Sequence, residues 1–302
     1  MDIKYDYDVI IIGGSYAGLS AAMALGRSLR KILIIDGGLP CNRQTPHSHN
    51  FITQDGEKPH VIASKAREQV LQYKTVNLVN GLAVEAVKLN SGFRITTDSV
   101  DTYTAKKLIF ATGIKDIMPE IDGFPHCWGI SVIHCPYCHG YEVKSEVTGI
   151  LANGDAAMHY AMLIRNLTDK LTIYTNGKAT FDEAQRLQLD NHNIKVVERE
   201  IKAFDHNKGQ LKSIIFKDET SAQLTALYAK VDFVQHTDLL EKLGCQLTEQ
   251  GFIETNNFQQ TSVADVYACG DNTSPMRSVA NSVAAGNFAG AMVNMELCKA
   301  EF

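Results

Sequence analysis

Residues 8–36 constrain this chain more than any other stretch. Asp8-Val9-Ile10-Ile11-Ile12 has the length and apolarity of a buried strand, and it breaks at Gly13-Gly14-Ser15-Tyr16-Ala17-Gly18. Leu19 to Gly26 then reads as a helix, and Lys31-Ile32-Leu33-Ile34-Ile35 is a second strand ending on Asp36. Strand, glycine turn, helix, strand and acid, in that order, describe a dinucleotide-binding unit. Gly13 makes the tight turn, Gly18 lets the helix close on the strand, and the helix N-terminus faces a pyrophosphate. Asp36 is placed to accept hydrogen bonds from an adenosine ribose, while Ser15 stands where the fingerprint has its middle glycine. A glycine turn alone joins strands to helices for steric reasons. The flanking strand, helix and acid are what make this one specific.

A second copy begins near residue 147. Val147 to Leu151 is a short strand, followed by Ala152-Asn153-Gly154-Asp155-Ala156-Ala157, a helix to Leu167 and the strand Lys170 to Tyr174. The copies align without a gap, with Gly13 on Ala152, Ser15 on Gly154, Gly18 on Ala157 and Asp36 on Thr175. The ribose position thus carries no carboxylate, and Asn176-Gly177-Lys178 offers no arginine pair for a 2′-phosphate. A third block, Thr261 to Cys269, is a strand closing on Gly270-Asp271. The small-residue helix that follows it, from Ser278 to Val293, can approach a flat ligand or another backbone closely. Leu108-Ile109-Phe110-Ala111-Thr112-Gly113 is the matching strand that ends the first segment.

Chemistry is concentrated in His134-Cys135-Pro136-Tyr137-Cys138-His139-Gly140. Two thiols separated by two residues can close and reopen a disulfide, and a helix N-terminus or a nearby imidazolium favours the attacking thiolate. Half of a zinc site and a buried structural pair are the other readings. Zinc needs two more ligands, and the other five cysteines are scattered singly. His47-x-His49 is likewise short of partners, so no metal is expected. Seven cysteines without framework spacing point to a reducing, cytoplasmic setting. A net charge of −5 and the lack of a basic cluster argue against a nucleic-acid partner. The start, Met1 to Tyr7, is too polar for a signal peptide, and the apolar run Val9 to Ile12 is far short of a membrane span.

Together these residues resemble the low-molecular-weight thioredoxin reductase family of FAD-dependent pyridine nucleotide-disulfide oxidoreductases. The resemblance rests on Gly13-Gly14-x-x-Ala17-Gly18 with Asp36, Ala111-Thr112-Gly113, Cys135-x-x-Cys138, and Gly270-Asp271 with Arg277, in the family's order along the whole chain. Cys-Pro-Tyr-Cys-His-Gly-Tyr-Glu is most similar to the thioredoxin-reductase-like branch, which includes dithiol oxidases. The resemblance implies an α/β chain of two Rossmann-like three-layer nucleotide-binding domains, the second inserted into the first. The expected segments are 1–117 and 240–302 for FAD and 118–239 for the inserted domain carrying the cysteines. It further implies a homodimer and two domain orientations related by a rotation.

By the same resemblance, FAD contacts fall on Gly13, Gly14, Ser15, Ala17, Gly18, Asp36, Asn42, Ala111, Thr112, Gly113, Gly270, Asp271, Arg277, Ser278 and Val279. Position in the chain adds Arg43 and Lys115 as candidates for the phosphates. Cys138 exchanges electrons with the flavin, Cys135 exchanges with substrate, and His139 moves protons beside them. The partner is a thioredoxin-like protein or a small dithiol or disulfide. The departures from the reductases are specific. Ala152 replaces the leading glycine of the second turn, Thr175-Asn176-Gly177 replaces a phosphate-binding basic cluster, His139 replaces an aspartate, and Ser278 replaces a glutamine. The reading is an FAD-dependent, thioredoxin-reductase-like thiol–disulfide oxidoreductase passing electrons through Cys135 and Cys138; the first two departures put NADPH as its electron donor in doubt and keep a dithiol oxidase that uses oxygen as an alternative. A redox-inactive flavin-binding relic is the remaining alternative, and retention of both thiols speaks against it.

Overall fold

Four-residue apolar runs bounded by glycine favour strands buried on both faces, and these strands assemble into two parallel sheets. The computed structural model describes residues 5–302. The chain opens with β1 (Tyr7–Ile12), α1 (Tyr16–Arg27), β2 (Ile32–Asp36), α2 (Pro59–Leu71), β3 (Val76–Asn80), β4 (Ala83–Lys88), β5 (Phe93–Thr97), β6 (Thr102–Phe110) and β7 (Ile114–Ile117). It continues with α3 (Phe124–Cys127), β8 (Val132–Ile133), α4 (Pro136–His139), β9 (Thr148–Leu151), α5 (Gly154–Ile164) and β10 (Leu171–Tyr174). After these come α6 (Glu183–Asn191), β11 (Lys195–Val197), β12 (Ile201–Asn207), β13 (Gln210–Phe216), β14 (Ser221–Gln223), β15 (Ala226–Ala229) and β16 (Asp232–Gln235). The last elements are α7 (Leu239–Lys242), β17 (Val266–Ala268) and α8 (Val279–Glu301).

The first compact unit comprises the residues up to Arg43, Phe51–Lys115 and Phe233–Phe302. Its sheet runs β3-β2-β1-β6-β5-β4. The second half of the long β6 takes β17 as a further parallel neighbour, with Val266 beside Leu108. Alternation decides the layers. Val9, Ile11, Ile32, Ile34 and Ile109 face α1 and α8, whereas Ile10, Ile12, Leu33, Ile35 and Phe110 pack with Leu239, Leu240 and Ile253. The small residues of α8 serve close helix packing: a Cβ on Gly286 would lie 2.0 Å from the Ala17 carbonyl oxygen. Ser20 Oγ donates to the Val283 carbonyl across the same contact at 2.7 Å.

The second unit comprises Gln44–Asn50 and Asp116–Asp232. Its parallel sheet has the order β11-β10-β9-β15-β8. One face, with Ile133, Ile150 and Tyr228, packs on α5 through Ala157, Tyr160, Ala161 and Ile164. The other, with Val132 and Leu227, packs on the antiparallel sheet β12-β13-β14 through Phe204, Ile214 and Phe216. These divisions differ from boundaries drawn at 117/118 and 239/240. The Phe233 and Phe252 rings meet at a tilt with 4.6 Å between their centres, and the return to the first unit comes at Phe233 rather than at 240. Gln44–Asn50 belongs with the second unit, a grouping that no sequence signal marks. Among the described residues no helix is long and apolar enough to cross a membrane.

Candidate active site: a dinucleotide cradle and a dithiol

In the first unit the parallel strands β1, β2, β6 and β17 bring Gly13–Gly18, Asp36, Ala111–Gly113 and Gly270–Asp271 to one edge of the sheet, at the strands' carboxyl ends. This is where open α/β sheets hold ligands. Gly13 has φ +107°, and a Cβ there would lie 2.2 Å from the Ala111 carbonyl oxygen. The α1 N-terminus carries no side-chain cap from Ser15 and no acid in its first turn. Its first amide groups are therefore left for an anion. The Gly14 and Gly38 N–H groups donate to Asp36 Oδ1 at 3.1 and 3.3 Å. Arg67 of α2 pairs with Asp36 Oδ2 at 2.5 Å, a partner that no local sequence pattern marks.

The remaining candidates for the cofactor divide by role. Asn42 Nδ2 donates to the Tyr16 hydroxyl at 3.3 Å, which itself donates to the Pro59 carbonyl at 3.1 Å. Asp271 receives Ser282 Oγ at 3.2 Å and the Cys41 thiol at 3.7 Å, with Arg277 Nε 3.9 Å away. Ser278 is the N-cap of α8 and accepts from the Asn281 N–H at 3.1 Å; Val279 is the helix's first residue. Arg43 bonds the Pro40 carbonyl of its own loop, and Lys115 is exposed. Asn272 is fully buried, ties β17 to the Phe110 carbonyl at 3.0 Å, and leaves its own Oδ1 unpartnered. Only its place beside Asp271 could have flagged it.

The second glycine turn is built otherwise. Ala152 does not have a positive φ; the left-handed residue is Gly154, at +54°. The methyl at Ala152 therefore imposes no left-handed backbone strain. Instead, Asn153 Oδ1 receives the Gly154 N–H at 2.9 Å, the Thr180 N–H at 2.9 Å and Thr180 Oγ1 at 3.1 Å. Its Nδ2 donates to the Lys178 carbonyl at 2.9 Å. The amide thus stitches the helix start to the loop after β10. Asp155 adds a carboxylate to the first turn of α5, held by Gln185 Nε2 at 2.7 Å. Thr175, at the ribose position, is buried and donates to the Gly177 carbonyl at 2.6 Å. Asn176 Oδ1 accepts from the Ile201 N–H at 2.7 Å.

The dithiol also lies in the second unit. Cys135 is the N-cap of the one-turn helix α4, with Pro136 at its first position. Cys138 Sγ is 2.6 Å from Cys135 Sγ, and both thiols are half-buried. The His139 N–H donates to the Cys135 carbonyl at 3.2 Å, so His139 lies one helical turn from Cys135 and shares its side of the turn. Burial depresses the His139 pKa, and His49 lowers it further against the opposing pull of Glu142. The imidazole is thereby kept in its proton-accepting form at neutral pH. His49 stands edge-on to His139 at 6.1 Å between ring centres, and its Nδ1 is 3.5 Å from Glu142. Burial pushes the Cys127 thiol up to about 11 and the Cys269 thiol up to about 12, which leaves both inert. Among the described residues no three histidine, cysteine or carboxylate groups converge as a metal site requires.

A family model for pyridine nucleotide-disulphide oxidoreductases matches residues 7–286, nearly the whole chain and both units. The chain belongs to this family. It is similar to thioredoxin reductase tcpT of Claviceps purpurea, 31% identical over 96% of this chain and 94% of that one. Among solved structures it is similar to an oxidoreductase from Agrobacterium tumefaciens, 36% identical with a TM-score of 0.91, covering 97% of this chain and 99% of the other. A putative thioredoxin reductase TrxB from Bacillus anthracis is 30% identical with a TM-score of 0.93, covering 98% of this chain and 100% of the other. As a pyridine nucleotide-disulphide oxidoreductase of the thioredoxin reductase-like kind, the chain is an FAD-dependent thiol–disulfide oxidoreductase.

Proposed function

We propose that the enzyme runs as a dithiol oxidase. Two electrons pass from a substrate dithiol through Cys135 and Cys138 to the flavin, and from there to oxygen, giving a disulfide and hydrogen peroxide. The observation that carries this direction is the second glycine turn, where Asn153 occupies the helix start that a dinucleotide's pyrophosphate needs. Thr175 and Asn176 spend their polar atoms on the protein's own backbone. A donor such as NADPH thus meets a turn whose Gly154 N–H, Thr175 hydroxyl and Asn176 Oδ1 are already bonded. Names given to relatives point to a thioredoxin-like partner. The self-bonded second turn favours a small dithiol reacting directly with the half-buried pair.

FAD suits the first unit. The glycine cradle and the uncapped α1 start accept its pyrophosphate, and Asp36, backed by Arg67, accepts its adenosine ribose. Asn42, Ala111–Gly113, Gly270, Asp271 and Arg277–Val279 supply the contacts further along the cofactor, with Asn272 Oδ1 as one more acceptor. When bound, FAD supplies a two-electron acceptor that oxygen can reoxidise. Cys135 exchanges with substrate, Cys138 passes electrons on, and neutral His139 takes the proton released as a substrate thiol becomes a thiolate. A homodimer fits the exposed stripe Met276, Ala280, Ala284, Phe288, Ala291 and Met295 along and just before α8. Sedimentation of Phe288→Glu at half the parent's mass is the expected check. Seven cysteines with no disulfide framework suit the cytoplasm.

The test is anaerobic stopped-flow reduction of the flavin by NADPH, NADH and a small dithiol, followed by peroxide assay in air. Fast reduction by the dithiol with stoichiometric peroxide supports the oxidase. Rapid reduction by micromolar NADPH returns the enzyme to an ordinary reductase.

A further inference from the structure

A tyrosine in the middle of a doubly covered parallel strand is costly unless its hydroxyl is bonded. Tyr228 is 1% exposed and lies in β15, whose four residues are all buried. It pairs beside Ile133 of β8 on one side and Ile150 of β9 on the other, and its ring packs among Ile133, Ile150, Ala157 and Tyr160. Tyr160 solves the same problem by donating to the His134 carbonyl at 2.9 Å. The Tyr228 hydroxyl has no hydrogen-bond partner. An unbonded buried hydroxyl costs a protein stability that phenylalanine would not forfeit, so its retention asks for a reason.

The surroundings supply one. β8 ends at Ile133, the residue paired with Tyr228, and Cys135 follows two positions later. Burial raises the Tyr228 pKa, and the charges of Cys135 and Glu142 raise it further. The phenol is therefore a neutral donor at any physiological pH. Cys138 and His139 on α4, His134 before it, Glu142 after it and Tyr160 on α5 are the other titratable groups around Cys135. A thiol or disulfide sulfur is a weak acceptor and a thiolate is a strong one. The hydroxyl bonds neither cysteine sulfur in this structure, so a bond to a thiolate is one that forms in turnover.

We propose that Tyr228 donates a hydrogen bond to the Cys135 sulfur whenever that sulfur is a thiolate. This rests on Cys135 being the thiol that exchanges with substrate. A substrate thiolate attacks Cys135, the Cys135–Cys138 bond breaks, and its electron pair stays on Cys138. The second substrate thiolate then attacks the substrate sulfur bound to Cys135. The substrate disulfide forms, the mixed disulfide breaks, and Cys135 leaves with the electron pair. The substrate has lost two electrons and two protons, and the cysteine pair has gained the electrons. The charge appears on Cys135 at this last departure, where a lower thiol pKa speeds leaving. The phenol stabilises it without giving up its own proton.

Tyr228→Phe removes only the oxygen. In a Cys138→Ser background, the pH dependence of iodoacetamide alkylation reads the pKa of Cys135 directly. The added Tyr228→Phe change is expected to raise that pKa by about 1–2, the equivalent of one charge-assisted hydrogen bond. The melting temperature, taken on the same samples, should stay level or rise. With both cysteines present, Tyr228→Phe should slow flavin reduction by dithiol about tenfold or more, while dithionite still delivers four electrons per flavin. An unchanged Cys135 pKa overturns the proposal, whatever the melting temperature does. Uptake of only two electrons by the parent protein would instead sink the redox reading of the pair, and the alkylation result would still decide the role of Tyr228.

Discussion

The starts of α1 and α5 are the same supersecondary device used in opposite ways. Both follow a buried parallel strand, and both align residue for residue over the turn. At α1 the leading residue is Gly13 with φ +107°, Ser15 makes no side-chain cap, and no acid sits in the first turn. At α5 the left-handed position has moved to Gly154, Asn153 caps the helix, and Asp155 brings a negative charge. An uncapped helix start forgoes about 0.5–2 kcal/mol of intrinsic stability. That shortfall is tolerable where a bound anion replaces the cap. The contrast teaches that helix capping and anion binding compete for the same amide groups. On the proposed function, the start of α5 is a nucleotide-type turn whose hydrogen bonds are completed internally.

The largest effect is expected from exchanging the leading residues of the two turns. Gly13→Ala places a methyl 2.2 Å from a backbone oxygen at a φ that alanine avoids. The variant should purify without flavin, read as loss of visible absorbance per chain. The mirror change, Ala152→Gly, should retain full flavin, since Ala152 is unstrained. Equal flavin loss in both would mean that the two turns are not functionally distinct. Next in size is Asp36→Ala. It removes the acceptor for Gly14 and Gly38 and leaves Arg67 without its carboxylate. A charge-assisted hydrogen bond of about 1.5–3 kcal/mol corresponds to roughly 10- to 150-fold in affinity, measurable by titrating FAD into the apoprotein. Unchanged FAD affinity would remove Asp36 from the ribose site. Thr175→Ala, its counterpart, should leave flavin content untouched.

These predictions also show what could be read from the residues alone. The strands, the first turn and Asp36 were legible, because glycine, apolar runs and a terminal acid each have one dominant local reason to be there. The extent of α8 was less so. Ala-rich sequence with no terminal signal reads as ending near Val293, but the helix continues to Glu301, anchored by the Arg30–Glu301 ion pair at 2.6 Å. Of the stretch from Thr261 to Cys269, only Val266–Ala268 pairs as a strand, and Thr261 to Asp265 is irregular. Arg67, Asn272 and Tyr228 were invisible. Their roles depend on pairing across more than thirty residues of sequence, such as Arg67 with Asp36, and no local pattern encodes that. The closing of the second turn was half legible. Missing arginines could be seen, whereas Asn153 reads as an ordinary loop residue until its three donors are placed.

A third test opens the closed turn. Asn153→Ala removes the cap and the stitch to Thr180 and Lys178 together. Loss of one N-cap costs about 1 kcal/mol, so a melting-temperature drop of a few degrees is expected. Alone it should not create NADPH reduction of the flavin, because the cation for a 2′-phosphate is still missing. Combined with arginines at Asn176 and Gly177, it should do so measurably more than the arginines by themselves. Equal effects with and without Asn153 would mean that the cap does not guard the site.

The smallest effect concerns charge alone. Asp155 is the carboxylate in the first turn of α5, where the helix dipole favours it by about 0.3–1 kcal/mol. Asp155→Asn keeps a hydrogen-bonding group for Gln185 and removes the charge. Stability should fall by no more than that amount at low salt, and the difference should shrink as salt screens the dipole. An anion competes with this carboxylate for the same end of the helix. Sulfate should therefore stabilise the Asp155→Asn variant more than the parent, if the start of α5 still has amide groups to offer. If Asn153 has already used the accessible one, sulfate will protect both proteins equally, and the cap rather than the acid is what keeps anions from α5. Adding Asn153→Ala to Asp155→Asn then separates the two causes. Sulfate protection that appears only in the double variant assigns the closure to the amide; protection already present in Asp155→Asn assigns it to charge. At α1, where neither device exists, FAD-free protein should show sulfate protection without any substitution.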